Sequence, residues 1–356
     1  MNPASISTRL YLFVIFNRVA KSSILRSQMT ASLGKTKFAL VLLFVVLAAN
    51  FLAAQDMRPG SDGDVRPTGH VQGAAAEKLP AGPSGGAVVT GNGINFHTGG
   101  TVLKANPVPI YIIWYGNWTT GAKPSDSLAT RTLIEGFLSS SSLGGSSYEA
   151  INTTYGDATG NVSGHLNFAG SVLDNYSQGN RFGDRNLTTI VSTHAGHDLP
   201  LDANGVYLVL TSSDVKESSG FCRTYCGFHT RATIGGADIK YAFVGNVDQC
   251  PNGCEAQLTG PNSPVSGSGG ADGMANVITH ETEEAITDPD LNAWFDASGQ
   301  EDADKCNFKF GPTTIVGNGA HINQTFGGHS WLIQMEWENS RGGGCDQTLG
   351  GPFFTN

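Results

Sequence analysis

The chain has 356 residues, with 21 Lys or Arg against 30 Asp or Glu, for a formal net charge of −9. It carries no basic stripe, which argues against a nucleic-acid-binding surface. Charged residues make up only 14% and glycines number 47, a balance that suits a turn-rich extracellular domain.

Two methionines, Met1 and Met29, can each serve as the start. From Met29 onward, Lys35 and Lys37 precede an apolar run at 38–54 that ends in Ala53 and Ala54, before the polar Gln55. That order of charge, apolar run and small residues predicts a secretory signal peptide, cut near Ala54. The competing reading is an uncleaved anchor. The run has 17 residues, includes Asn50 and sits at the lower limit for spanning a bilayer. The expected organisation is a signal peptide at 1–54, a Gly/Pro/Ala-rich flexible linker at 55–95 and one globular domain at 96–356.

Within that domain, the β-branched and aromatic run at 107–116 predicts a buried strand. Leu128, Leu133, Phe137 and Leu138 give near-helical spacing over 126–140, with Ser125 or Asp126 as the cap. Further strands are predicted at 187–192, 205–211 and 240–244. A Gly/Ser/Pro-rich loop covers 261–272, a helix runs over about 272–287, and a late strand over 333–337. Strands alternating with at least two helices predict an α+β fold, or α/β with a mixed sheet.

All six cysteines lie beyond the linker. An even count in an exported chain predicts disulfides. The expected pattern links the two C-x-x-x-C segments, Cys222/Cys226 and Cys250/Cys254, to each other, and Cys306 to Cys345. Zinc held by the four cysteines of 222–254 is the alternative.

The segment with chemical content is 271–306. It contains HETEE at 280–284, which places His280 and Glu284 on one helical face with Glu281 beside them. The arrangement is that of the H-E-x-x-H helix of zinc peptidases, with Glu in place of the second His. In that arrangement the intervening Glu acts as general base on metal-bound water. Glu281 is therefore the candidate base, and His280, Glu284 and either Glu301 or Asp304 are the candidate ligands. No Lys or Arg occurs between Lys240 and Lys305, while twelve acids do, from Asp248 to Asp304. Glu283, Glu284 and Asp288 crowd the end of the helix, against its dipole, and a bound cation would offset that. His280 favours zinc. Calcium, held by Asp288, Asp290, Glu301 and Asp304, is the rival. The plain alternative is an acidic, solvated helix face.

Other groups carry less. His229 beside Cys226 is a ligand, a catalytic group or simply structural, and His194 and His197 default to a loop. Nothing supports His321 or His329. Trp114, Tyr115 and Trp118 would suit a sugar-stacking platform, but a core strand accounts for the first two more simply. The G-x-S-x-G elbow of serine hydrolases is absent. Asn117, Asn152, Asn161, Asn175, Asn186 and Asn323 each begin an Asn-x-Ser/Thr triplet.

Several of these segments resemble the EXORDIUM, or phosphate-induced protein, family. They are PVPIYIIWYGNW at 107–118, SGFCRTYCGFHT at 219–230, YAFVGNVDQCPNGC at 241–254, the block at 272–296, and WLIQMEW followed by GGGC near the end. Within the family the chain resembles a microbial branch, in which H-E-x-x-E is followed by E-x-x-D-x-C. The resemblance implies an extracellular or cell-envelope protein whose partner is a wall polysaccharide or an extracellular peptide. It attaches no firm enzymatic activity. Two functions stay open: a zinc-dependent, peptidase-like hydrolase, and a non-enzymatic wall-associated protein with structural calcium or no metal.

Overall fold

The hydrophobic run at 107–116 folds as the strand Val108–Tyr115, in which every residue but Pro109 is buried. Burial on both faces is the signature of a strand inside a parallel sheet covered on two sides. The computed structural model describes residues 69–70, 87–88, 91–255, 261–262, 270–317 and 319–354. The signal sequence expected at 1–54, and most of the linker expected at 55–95, lie outside them.

The main sheet has six strands: β1 (Gly69–His70), β2 (Val108–Tyr115), β3 (Leu166–Asp174), β4 (Val206–Thr211), β5 (Tyr225–Ile234) and β6 (Ala237–Val244). Their order is β1-β5-β6-β4-β2-β3. Strands β3, β2, β4 and β6 run parallel, whereas β5 is antiparallel to both β6 and β1. The sheet is therefore mixed. Gly235 and Gly236, both at positive φ (58° and 84°), form the tight turn between β5 and β6.

Helix α1 (Leu128–Phe137) connects β2 to β3, and α2 (Asp184–His194) connects β3 to β4. They cover opposite faces of the sheet. The Trp114 indole donates to Glu135 of α1 at 3.0 Å, while Tyr241 and Thr188 of α2 share a hydrogen bond of 2.7 Å on the other side. Crossovers to left and right of β2, if each is right-handed, place the helices this way. Helix α3 (Gly270–Thr287) packs on β5 and β6 and touches α1, which puts it on the α1 face.

Three expectations need correction. The segment 187–192 is not a strand but the middle of α2. Leu187, Ile190, Val191 and His194 are buried at intervals of three and four, and that helical stripe overrides their β-branched content. The cap of α1 is Ser127, whose hydroxyl accepts from Thr130 N. Ser125 and Asp126 are engaged elsewhere: Ser125 donates to Asp248 at 2.5 Å, and Asp126 accepts from Ser213 N at 2.8 Å. Trp114 and Tyr115, both 0% exposed, belong to the core as the strand reading expects, and Trp118 joins them at 1%. The late strand begins only at Glu336, as β7 (Glu336–Glu338), paired with β8 (Gly344–Asp346).

The cysteines pair as Cys222–Cys250, Cys226–Cys254 and Cys306–Cys345. No described cysteine is free, so the four-cysteine zinc site does not form. The first two bonds staple the start of β5 to the turn after β6. The third fixes the end of α4 (Asp302–Lys305) to β8.

Candidate metal centre

Every residue of α3, from Gly270 to Thr287, is buried. A helix of this kind is normally apolar all round, yet this one carries HETEE. The acids therefore do not form a solvated face: Glu281, Glu283, Glu284 and Asp288 are each 0% exposed. Buried carboxylates must be protonated, paired or bound to a cation.

Helical spacing brings His280 and Glu284 together, with Nε2 to Oε1 at 3.2 Å. After α3 the chain turns at Asp288, whose Oδ1 accepts from the backbone N–H of Asn292 (2.6 Å) and Ala293 (2.5 Å). It then returns as α4 beneath the same face. Asp304 N donates to Glu284 Oε1 at 3.2 Å, and Asp304 Oδ1 lies 3.6 Å from His280 Nε2. Donor atoms of His280, Glu284 and Asp304 all fall within 4.8 Å of one another. Ligands about 2.1 Å from a tetrahedral zinc lie about 3.4 Å apart, which these separations match.

Glu301, the alternative third ligand, is placed differently. It meets His229 of β5, with Oε2 3.2 Å from Nε2, and forms a second group with His229 and Glu284. Glu284 belongs to both groups, its Oε2 lying 3.8 Å from His229 Nε2. Strand alternation puts His229 on the same face as Gly227. A Cβ on Gly227 would come 2.8 Å from Glu281 Oε1 and 2.9 Å from Val277 Cγ1. Glycine there is what lets α3 approach the strand closely enough for His229 to reach Glu284.

The carboxylates expected for calcium make different contacts. Asp288 lies against Glu301, but Asp290 is turned away and pairs with Lys240 at 3.0 Å. The other histidines are also elsewhere. His194 bridges Asp198 (2.9 Å) and Asp174 (3.1 Å), and His321 bonds Thr313 at 2.8 Å.

Electrostatics follow from burial. Burial alone would lower the His280 imidazole, but Glu284 and Asp304 beside it raise it well above its usual range. Burial lowers His229, against the pull of Glu281. Burial lifts Glu284 and Asp288 well above the carboxylate range; His280 partly offsets this for Glu284, and Glu301 adds to it for Asp288. Gln334 Nε2 donates to Ala303 O at 3.0 Å and sits 3.1 Å from His280 Nδ1, which orients the ring. A metal at Nε2 favours a proton on Nδ1 and an acceptor beside it. Gln334, its Nε2 donating to Ala303 O and its oxygen accepting from Phe308 N at 3.3 Å, instead turns a donor toward Nδ1 in this arrangement.

Sequence reasoning did not place His229 in the centre. The signal was available: Gly227 and His229, two apart in an apolar run, predict one strand face that is both closely approached and polar.

A model of the phosphate-induced protein 1 conserved region matches residues 94–331. The chain is 33% identical to "Protein EXORDIUM-like 5" of Arabidopsis thaliana over 284 residues, covering 68% of this chain and 75% of that protein. It is 31% identical to "Protein EXORDIUM-like 3" of the same plant over 285 residues, covering 69% and 80% respectively. No solved structure matches it. Matched along most of its described domain, with the strand that carries His229 and the helix that carries His280 inside the match, the chain belongs to the EXORDIUM, or phosphate-induced protein, family.

Proposed function

We propose that this protein is a secreted, non-enzymatic EXORDIUM-like protein whose core is fastened by a divalent metal, zinc in first place, between His280, Glu284 and Asp304. The observation that carries this reading is convergence under burial. The three residues are 2%, 0% and 5% exposed, and their donor atoms lie within one coordination sphere. Structural zinc sites are closed, whereas catalytic ones keep a position open to substrate. A groove of about 710 Å³, lined by Leu133, Phe137, Phe326 and Trp331, is present apart from these three residues. Three disulfides support export. Among the described residues, no helix is long and apolar enough to cross a membrane. A wall polysaccharide or peptide, the partner expected from the family resemblance, would meet the outer surface and not this centre. The microbial-branch assignment rests on the H-E-x-x-E and E-x-x-D-x-C strings alone, since both curated relatives are plant proteins.

One observation favours a second reading, metal-assisted hydrolysis. Glu281 acts electrostatically on both His280 and His229, where a general base would sit. That role requires an opening above the centre.

Elemental analysis of the purified protein tests the first reading. Near-stoichiometric metal, kept through dialysis and lost in His280→Ala, is expected; metal-free protein that takes up neither zinc nor calcium would sink it. Hydrolysis of peptide substrates that disappears in Glu281→Gln, with metal content retained, would promote the second.

A further inference from the structure

The metal reading above supplies one ion, and the geometry points to a second. We infer that the centre is dinuclear. Glu284 bridges two divalent cations, one at His280 and Asp304 and the other at His229 and Glu301. The inference rests on the proposed metal reading and extends it.

Three observations carry it. First, the two oxygens of Glu284 face different partners. Oε1 lies 3.2 Å from His280 Nε2 and accepts from Asp304 N, whereas Oε2 lies 3.8 Å from His229 Nε2. A carboxylate divided in this way between two imidazoles is positioned as a bridge. Second, Glu284 Oε2 has no hydrogen-bond partner although Glu284 is fully buried. A buried acceptor without a partner costs about 1–3 kcal/mol, and more when charged. A cation between His229, Glu284 and Glu301 would satisfy this atom. Third, the charge is unbalanced. Glu281, Glu284, Asp288, Glu301 and Asp304 bring five formal negative charges to a centre whose imidazoles are neutral when they act as ligands. One divalent ion leaves three of those charges, and two leave one. The donor set, one nitrogen and two carboxylate oxygens on each side, suits zinc or manganese more than calcium. Paired ions of this kind lie about 3.5–4 Å apart.

The test counts ions in the intact purified protein loaded with Zn²⁺ and dialysed. About two ions per chain are expected for the wild type, and about one for His229→Ala. One ion in the wild type, unchanged in His229→Ala, overturns the pair while sparing the His280 site. No ion at all removes both proposals. Two ions retained in His229→Ala place the second ion elsewhere and also overturn the pair. If His229→Ala does not fold, X-ray absorption of the zinc-loaded wild type decides. A metal–metal vector near 3.5–4 Å is expected, and its absence overturns the proposal.

Discussion

Glu283 and Glu284 are neighbours in sequence, yet α3 delivers them to opposite environments. Glu284 enters a centre with two imidazoles. Glu283 turns toward Glu149, Asp302 and Glu336, where Asn152 donates to it and Thr287 donates to Asp302 at 2.7 Å. Both sides are buried, but of the two only the first holds imidazole nitrogens. On the second, burial pushes Glu149 up to about 7, even though bonds to Glu283 and Asn152 pull the other way. Burial likewise lifts Asp302 to about 6, against its Thr287 bond. Glu283 and Glu336 are raised well above their usual range, again by burial. The difference teaches that burial raises the acids on both faces, but imidazole nitrogens converge with them on only one.

The sharpest way to break this comparison is to remove each glutamate in turn. Glu284→Ala leaves buried charge without its partner and is expected to cost about 3–5 kcal/mol in denaturant titration, with loss of bound metal. Glu283→Gln replaces a protonated carboxyl by a neutral amide of the same shape, and stability should change by no more than about 1 kcal/mol. Equal losses for both would mean that the two faces are the same kind of site.

A smaller effect comes from the strand side. Gly227→Ala drives a methyl group into Phe243 O, Glu281 and Val277, and overpacking of this kind costs about 1–3 kcal/mol. The shift falls on the histidine face, so metal affinity should drop while the Glu149 side is unaffected. Calorimetric titration with zinc reads this directly; unchanged affinity would show that the helix–strand gap does not set the centre.

The smallest effect is a pH slope. Glu149, at 4.5 in the unfolded chain and about 7 when folded, keeps its proton over a window in which the unfolded chain has lost it. The folded state binds the extra proton, so its contribution is complete below 4.5 and is lost as pH rises toward about 7. Its share of the slope is at most about 1.4 kcal/mol per pH unit. In Glu149→Gln this share should vanish from stability measured between pH 5 and about 7; an unaltered slope would place the titration in other groups.

The sequence carried much of this arrangement, but not evenly. The strand Val108–Tyr115 is legible because its apolar run is long and bounded, and the helix Gly270–Thr287 because a Gly/Ser/Pro-rich loop precedes it and Pro289 stops it. The cysteine pattern, C-x-x-x-C against C-x-x-x-C, led to the observed cross-links. The middle of α2 was not legible, because Ile190 and Val191 read as strand formers until the stripe they share with Leu187 and His194 is seen to face the sheet. Glu301 and Asp304 are three residues apart and equally plausible beside His280. Only the turn built on Asp288 Oδ1 decides that Asp304 goes to His280 and Glu301 to His229. That choice depends on tertiary packing, which no local pattern encodes.

The complete burial of α3 also sets a clock. With His280, Glu284 and Asp304 at 2%, 0% and 5% exposure, an ion of the kind proposed among them would depart chiefly when α3 or α4 transiently lifts away. Exchange with free metal would then run at the rate of local opening and not at the rate of ligand dissociation. A chelator added to the folded protein would act slowly, and the same chelator present during folding would act at once. The ion, once enclosed, would record the metal content of the compartment in which the chain folded.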